Sequence, residues 1–356
     1  MTQTFMDRWR QLQQATTVEA VFPNLSSLSP TQLKAQYHLL AAAVHPDHNR
    51  DYAAEATAAF ALLQQWYNLA QQQIGLQRNG AAPLITIATR NGHYVSNGAP
   101  IPGDLCDLYP ATGDQQAVLL KVVRSPQNND LMQTEARVLQ RLARTLAGQA
   151  VRAHFPTLVE AVQLRDVAGV QRQVNVLADA SDYISLAAVL RAYPTGIDAA
   201  DAAWMFNRLI AALGVIHGLG LVHGAVTLDH FLIRLSDHNG LLLDWCYSVP
   251  IGETIKAVNL AYTADYPPEV SARQPATAAT DLYMAARCLL RLLGGNPVTG
   301  ELPPHVPKPI QALVRSCLLP SPHRRANEAW ELFDEFQTIL GQLHGPPRFR
   351  PFALPA

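Results

Sequence analysis

Leu33, Tyr37, Leu40 and Val44 recur at intervals of three and four residues, the period that lines one face of an α-helix. Phe60, Leu63, Trp66 and Tyr67 repeat the pattern in the run that begins at Ala56. Two amphipathic helices joined by so few residues pack as an antiparallel hairpin. Helix is expected to end near Ile74, before a breaker cluster of Gly75, Asn79, Gly80 and Pro83 that reads as a linker. Beyond it, residues 84–89 and 117–123 read as strands separated by Gly and Pro turns. Residues 131–146 read as helix and 173–178 as strand. From Ser185 onward the pattern is mainly helical, with short strands at 231–233 and 241–243. A small β-rich part followed by a larger α-rich part predicts an α+β fold with a cleft between two lobes. The last residues, 344–356, are rich in proline and predict an extended tail. Its Arg348-Phe349-Arg350-Pro351-Phe352 run reads equally as a docking peptide or as a tail packed on its own domain.

With 356 residues the chain has room for two or three domains. Hydrophobic residues make up 49%, enough for a core, and charged residues only 15%, against roughly 25% in average soluble domains. The surface therefore leans on uncharged polar residues or is covered by a partner. A net charge of −1 gives no general attraction to nucleic acid or to anionic membranes, and neither is expected as a partner. Cys106, Cys246, Cys288 and Cys317 lie far apart, with no Cys-x-x-Cys pair. Neither zinc nor haem is expected, and scattered thiols fit a reducing compartment. The amino terminus lacks a basic segment followed by an apolar run, and no stretch of about 20 uninterrupted apolar residues occurs, so a cytoplasmic location is expected.

The joint between the first two helices is His45-Pro46-Asp47. Flanked by helices of this phase, with a Pro30-Thr31 start and Phe60 in the second helix, it resembles the J-domain of DnaJ-type co-chaperones. That resemblance, over residues 1–78, implies contact with a DnaK-type chaperone through His45, Pro46, Asp47 and Lys34. Residues 79–92 would then be a linker. The helix before the loop departs from the pattern, offering only Lys34 and His38 where such domains carry several basic residues. A helix-breaking loop with no partner is the plainer reading: Pro46 stops a helix and Asp47 can cap the next turn.

A second constellation follows in order. Lys121 ends an apolar strand, and Glu135 lies fourteen residues on, in the next helix. Then come Leu221-Val222-His223-Gly224, Leu241-Leu242-Leu243-Asp244, Tyr266-Pro267-Pro268-Glu269, Thr280-Asp281-Leu282-Tyr283 and Ser321-Pro322-His323-Arg324-Arg325. This order resembles the motifs of protein kinases, over residues 93–343, with a small lobe at about 84–180 and a helical lobe at about 181–343. The resemblance implies that Lys121, Glu135 and Asp244 meet nucleotide, that Asp244 holds a metal, and that His223, Glu269, Asp281 and Arg325 are structural, with Glu269 paired to Arg325.

Departures from the kinase pattern decide the expected function. Ala225 stands where the resemblance places the catalytic Asp, and His230 where it places a metal-binding Asn. Trp245 and Cys246 follow Asp244 in place of Phe and Gly. The segment that should cover phosphates reads Asn97-Gly98-Ala99-Pro100-Ile101-Pro102-Gly103-Asp104; its prolines remove amide donors and Asp104 would oppose phosphate. A lost general base costs about 10²–10⁴ in rate, and positioning and charge neutralisation, the main sources of phosphoryl-transfer catalysis, are compromised too. A pseudokinase is therefore expected, with room left for weak binding of ATP and Mg2+. Asp244 with His230 could hold a divalent ion; a Lys121–Glu135 pair could equally be a plain salt bridge. His223 and Asp229 are weaker candidates for a replacement base. The resulting expectation is an adaptor whose kinase-like part binds a client or partner protein. An atypical kinase-fold transferase and a structural assembly subunit are the competing readings.

Overall fold

The structure is a computed structural model that describes residues 5–15, 17–25, 28–78, 85–89, 91–165 and 169–355. It divides into two units, residues 1–114 with 259–264, and residues 115–258 with 265–356. Its composition is mixed α/β, 49% helix and 16% strand, with a helical amino-terminal region and antiparallel sheet. At that level it agrees with the expected α+β class.

In the first unit, helices α1 (Phe5–Gln14), α2 (Val18–Val21), α3 (Pro30–Val44) and α4 (Ala53–Arg78) precede strands β1 (Thr86–Ala88), β2 (His93–Ser96), β3 (Ile101–Pro102) and β4 (Cys106–Gly113). Helix α3 starts where it does because Ser29 and Gln32 form a reciprocal capping box, with Pro30 in the first turn. It stops because His45 precedes proline and is driven to an extended conformation, φ −64° and ψ 136°. Leu33, Phe22, Leu25 and Leu63 are buried with Trp66, and Tyr37 stacks on Tyr67 at 4.2 Å between centroids. Leu260 and Ala261 pack on the same core. Helix α4 runs on to Arg78, beyond the end expected near Ile74. One glycine inside a helix costs only about 1 kcal/mol relative to alanine, so Gly75 does not end it. The expected linker at 79–92 falls within this unit; residues 79–84 and 90 of it lie outside the described residues. The strand expected from Leu84 is seen as β1. Strands β1, β2 and β4 are antiparallel neighbours, and β3 pairs with β4. Gly113 faces Tyr94 in that register, and a Cβ there would lie 2.3 Å from the tyrosine ring, so this position requires glycine.

In the second unit, β5 (Gln116–Val123), α5 (Asn129–Thr145), β6 (Leu158–Arg165) and β7 (Gln171–Ala178) come first. The strands run β5-β7-β6, all antiparallel, and α5 packs on β7. Then follow β8 (Ile184–Ser185), α6 (Leu186–Ala192), α7 (Ala199–Gly218), β9 (Leu221–Val222), β10 (Phe231–Ile233), β11 (Gly240–Leu242) and β12 (Val249–Pro250). The last helices are α8 (Pro268–Ser271), α9 (Ala278–Leu292), α10 (Lys308–Cys317) and α11 (Ala329–His344). Helix α7 is long and apolar enough to cross a membrane by composition, but 56% of its apolar window is buried, and it packs against α9 and α11 as a core helix does. The carboxyl-terminal tail packs on its own unit. Phe349 stacks on His238 at 4.2 Å, Arg350 pairs with Asp198 at 3.3 Å and Asp201 at 3.2 Å, and the Tyr193 hydroxyl donates to the Ala353 carbonyl at 2.7 Å.

Candidate functional site

Lys34, His45, Pro46, Asp47 and the 97–104 segment belong to the first unit, and Lys121, Glu135, His223, His230, Asp244, Glu269, Asp281 and Arg325 to the second. The 45–47 loop is tied down locally. The Asp47 amide donates to His45 Nδ1 at 3.2 Å, and the His45 ring meets the edge of Phe60 at 5.3 Å. Asn49 Nδ2 donates to the carbonyls of Ala43 and His45 at 3.1 and 2.9 Å, closing the end of α3. Side-chain exposure is 40% for His45 and 80% for Asp47, and Lys34 is exposed as well. The tip thus offers an imidazole and a carboxylate to solvent from a fixed backbone.

Lys121, on β5, is the centre of the second constellation. Its ammonium lies 2.8 Å from Glu135 Oε1 on α5, in contact with Asp244 Oδ1, and 4.0 Å from Cys246 Sγ. Lys121 is 4% exposed and Glu135 1%. Glu135 is further held by Asn175 Nδ2 at 2.9 Å and by the Trp245 amide at 3.2 Å. Asn175 stands opposite Lys121 on β7 and also donates to the Met132 carbonyl at 2.9 Å, fixing α5 to the sheet. Sequence reasoning did not single out Asn175. Its signal is a polar residue between Val174 and Val176, in a strand where 173–177 are all buried.

Asp244 sits in the left-handed region, φ 68°, which is uncommon for a residue with a side chain and tolerated best by Asp and Asn. Burial opposes its ionisation, but the charges of Lys121 and His230 outweigh burial, and its carboxyl is held well below the usual range. Cys246 Sγ donates to Asp244 Oδ1 at 3.0 Å. His230 Nδ1 lies 2.8 Å from the Ala225 carbonyl and Nε2 lies 3.2 Å from Asp244 Oδ2. A carbonyl only accepts, so Nδ1 carries a proton. Nε2 then donates to Asp244 when the ring is doubly protonated and presents a lone pair when it is not. In the second state Nε2 and Oδ2 are spaced as neighbouring ligands of an octahedral cation, which lie about 3 Å apart when each bond is about 2.1 Å. Two protein ligands form only part of such a shell; water or phosphate oxygens would supply the rest.

The backbone beside this cluster is organised by Asp281, from the first turn of α9. Its carboxylate accepts the His223 and Gly224 amides at 2.7 and 2.9 Å, and His217 Nε2 lies 2.9 Å away. Gly224 has φ +79°, and a Cβ there would lie 2.7 Å from the Tyr247 carbonyl. The His223 Nε2–H donates to the Leu243 carbonyl at 2.7 Å, and Nδ1 accepts the Ala225 amide at 3.3 Å. Burial pushes this imidazole down to about 4, against the upward pull of Asp281. Ala225 is fully buried, so a methyl group lies where the resemblance placed a base, and Asp229 is exposed. Glu269 and Arg325 meet at 2.5 Å, both buried; Thr280 Oγ1 donates to Glu269 at 3.2 Å, and Arg325 donates to the Ala279 carbonyl at 3.1 Å.

The centre can therefore hold a compact, nearly charge-balanced set of cations and carboxylates. Lys121 offers positive charge, and Asp244 with His230 can face a divalent ion. No protein-family model matches this chain, and no curated protein matches it in sequence.

Removing the central cation should be costly. Lys121→Met leaves Glu135 and Asp244 facing each other without a counter-charge, and breaking a buried pair in this way typically costs about 3–5 kcal/mol. Urea unfolding should show a loss of that size, partly restored by adding Glu135→Gln; a variant as stable as the native chain would contradict the described burial. His223 gives a pH signature. Unfolded, the ring takes its proton near 6.5; folded, only near 4. Across that window the unfolded chain binds more protons, so the contribution of His223 is complete above 6.5 and lost as pH falls through 4, about 3 kcal/mol in all. The stability difference between the native chain and His223→Gln should shrink by that amount over this window. A difference independent of pH would refute the assignment.

Proposed function

We propose that the chain is an adaptor in which a J-domain-like helical unit is joined to a kinase-like domain that does not catalyse phosphoryl transfer. The observation that carries this reading is the closure of Lys121 by the chain's own Glu135 and Asp244, beside a buried Ala225. A phosphate approaching Lys121 competes with two carboxylates already in contact. The Ala225 methyl itself offers a substrate hydroxyl no proton acceptor. Further support comes from the Asp281 bonds to the His223–Gly224 backbone and from the buried Glu269–Arg325 pair, which keep the shape of the centre apart from its chemistry. With this part held rigid, the domain serves as a surface for a client or partner protein, and ATP with Mg2+ is at most a weak ligand at Lys121, Asp244 and His230. The retained Lys121–Glu135–Asp244 set favours a second reading, a kinase-fold transferase working without the usual base. The helical unit would act on a DnaK-type chaperone through the exposed His45–Asp47 tip and Lys34.

Two measurements separate these readings. With labelled ATP and either magnesium or manganese, neither the chain nor a generic protein substrate should take up label above background. Uptake abolished by Asp244→Ala would establish the transferase in place of the adaptor. For the helical unit, the full chain should raise the steady-state ATPase rate of a DnaK-type chaperone, and His45→Gln should abolish the rise while leaving the melting temperature unchanged. If saturating native chain gives no rise, the helical unit binds protein without chaperone action.

A further inference from the structure

Two helix faces in the second unit leave a gap because their residues are small. Along α7, Ala200, Ala203, Trp204 and Asn207 fall on one face, and along α11 Phe333, Gln337, Leu340 and Gly341 do so. Where Ala200, Ala203 and Gly341 stand, the side chains are too short to fill the space. The tail, from Pro346 to Phe349, lines one side of the gap, which stays open to solvent. The result is a cavity of about 900 Å³, at the upper end of the roughly 300–1,000 Å³ typical of small-molecule sites. Its residues are separate from those around Lys121, and the argument below is independent of the adaptor reading.

The walls specify a chemistry. Trp204 lies flat on His238, 3.8 Å between centroids at 5°, and His238 lies on Phe349 at 4.2 Å, so one wall is a stack of three π systems. Burial pushes the His238 imidazole down, while the Arg350 backbone pulls it up. Trp204 Nε1 and Asn207 Oδ1, on neighbouring turns of α7, are buried and have no hydrogen-bond partner within the chain, nor does Nε2 of His238, a residue only 6% exposed. Charge at the lining is positive: Arg208 and Arg348 contribute, while Asp237 is bound by Arg234 at 2.7 and 3.0 Å.

We infer that this cavity binds a small, planar aromatic anion, with its ring against the aromatic wall and its charge toward Arg208 and Arg348. Ordered water alone is the competing occupant.

Anilinonaphthalene sulfonate combines a flat ring system, an N–H and an anionic group, and its fluorescence reports transfer to an apolar site. Titrated with the full native chain, it should show one saturable site. At Gly341 a Cβ would meet nothing within 4 Å, so Gly341→Phe can place its ring in the cavity without displacing the helix, and should weaken binding more than tenfold. Arg348→Gln removes one of the two charges at an exposed position, and should weaken binding several-fold. Circular dichroism and melting temperature should match the native chain for both; if one variant fails to fold, the other decides. No saturable site, or an affinity unchanged in the folded variants, would overturn the inference and leave a water-filled void.

Discussion

The second unit depends on one buried ammonium group. Lys121 extends from β5, Glu135 from α5, and Asp244 from the turn after β11, so three segments far apart in sequence converge on one nitrogen. None of these charges could be buried alone, because an isolated ion in a protein interior costs several kcal/mol even after relaxation. Each therefore requires the other two, and the requirement fixes where the helix lies on the sheet. Asn175 tightens the same point from the opposite strand, by holding the second oxygen of Glu135.

The other carboxylates repeat this logic with backbone as partner. Asp281 accepts two consecutive amides and so holds the 223–225 segment in a path that its own hydrogen bonds would not maintain. Glu269 and Arg325 tie the start of α8 to the segment before α11. These groups are buried and bonded to one another or to the main chain, while Arg325 Nε and His217 Nδ1 have no hydrogen-bond partner among the described residues. The bonds that hold this centre are thus structural and require no reaction to account for them.

Much of this was legible from residue type and order. The helical hairpin follows from its apolar period, its start from Pro30-Thr31 and the end of its first helix from Pro46. Lys121 with Glu135, and Glu269 with Arg325, could be paired because the order of their motifs resembles that of protein kinases. Strand and helix ends shifted by a residue or two, as at β11, which spans Gly240–Leu242 where 241–243 was expected. Gly75 misled because a single glycine is too weak to end a long helix. Asn175 was missed because alternation marks which residues are apolar, and a buried polar residue looks like a break in the pattern. The cavity was out of reach altogether, because only the approach of α7, α11 and the tail turns the small size of Ala200, Ala203 and Gly341 into space. His230 was legible as a substitution, but its contact with the Ala225 carbonyl belongs to the folded turn.

The left-handed backbone at Asp244 bears on how such a position changes over generations. A residue with a bulky or branched side chain costs roughly 1–2 kcal/mol there before its chemistry matters, whereas Gly, Asn and Asp fit. Substitution at this site is therefore filtered first by the shape of the turn. An aspartate could persist there long after losing any duty toward a metal, and its persistence records a constraint on the main chain as readily as one on an ion.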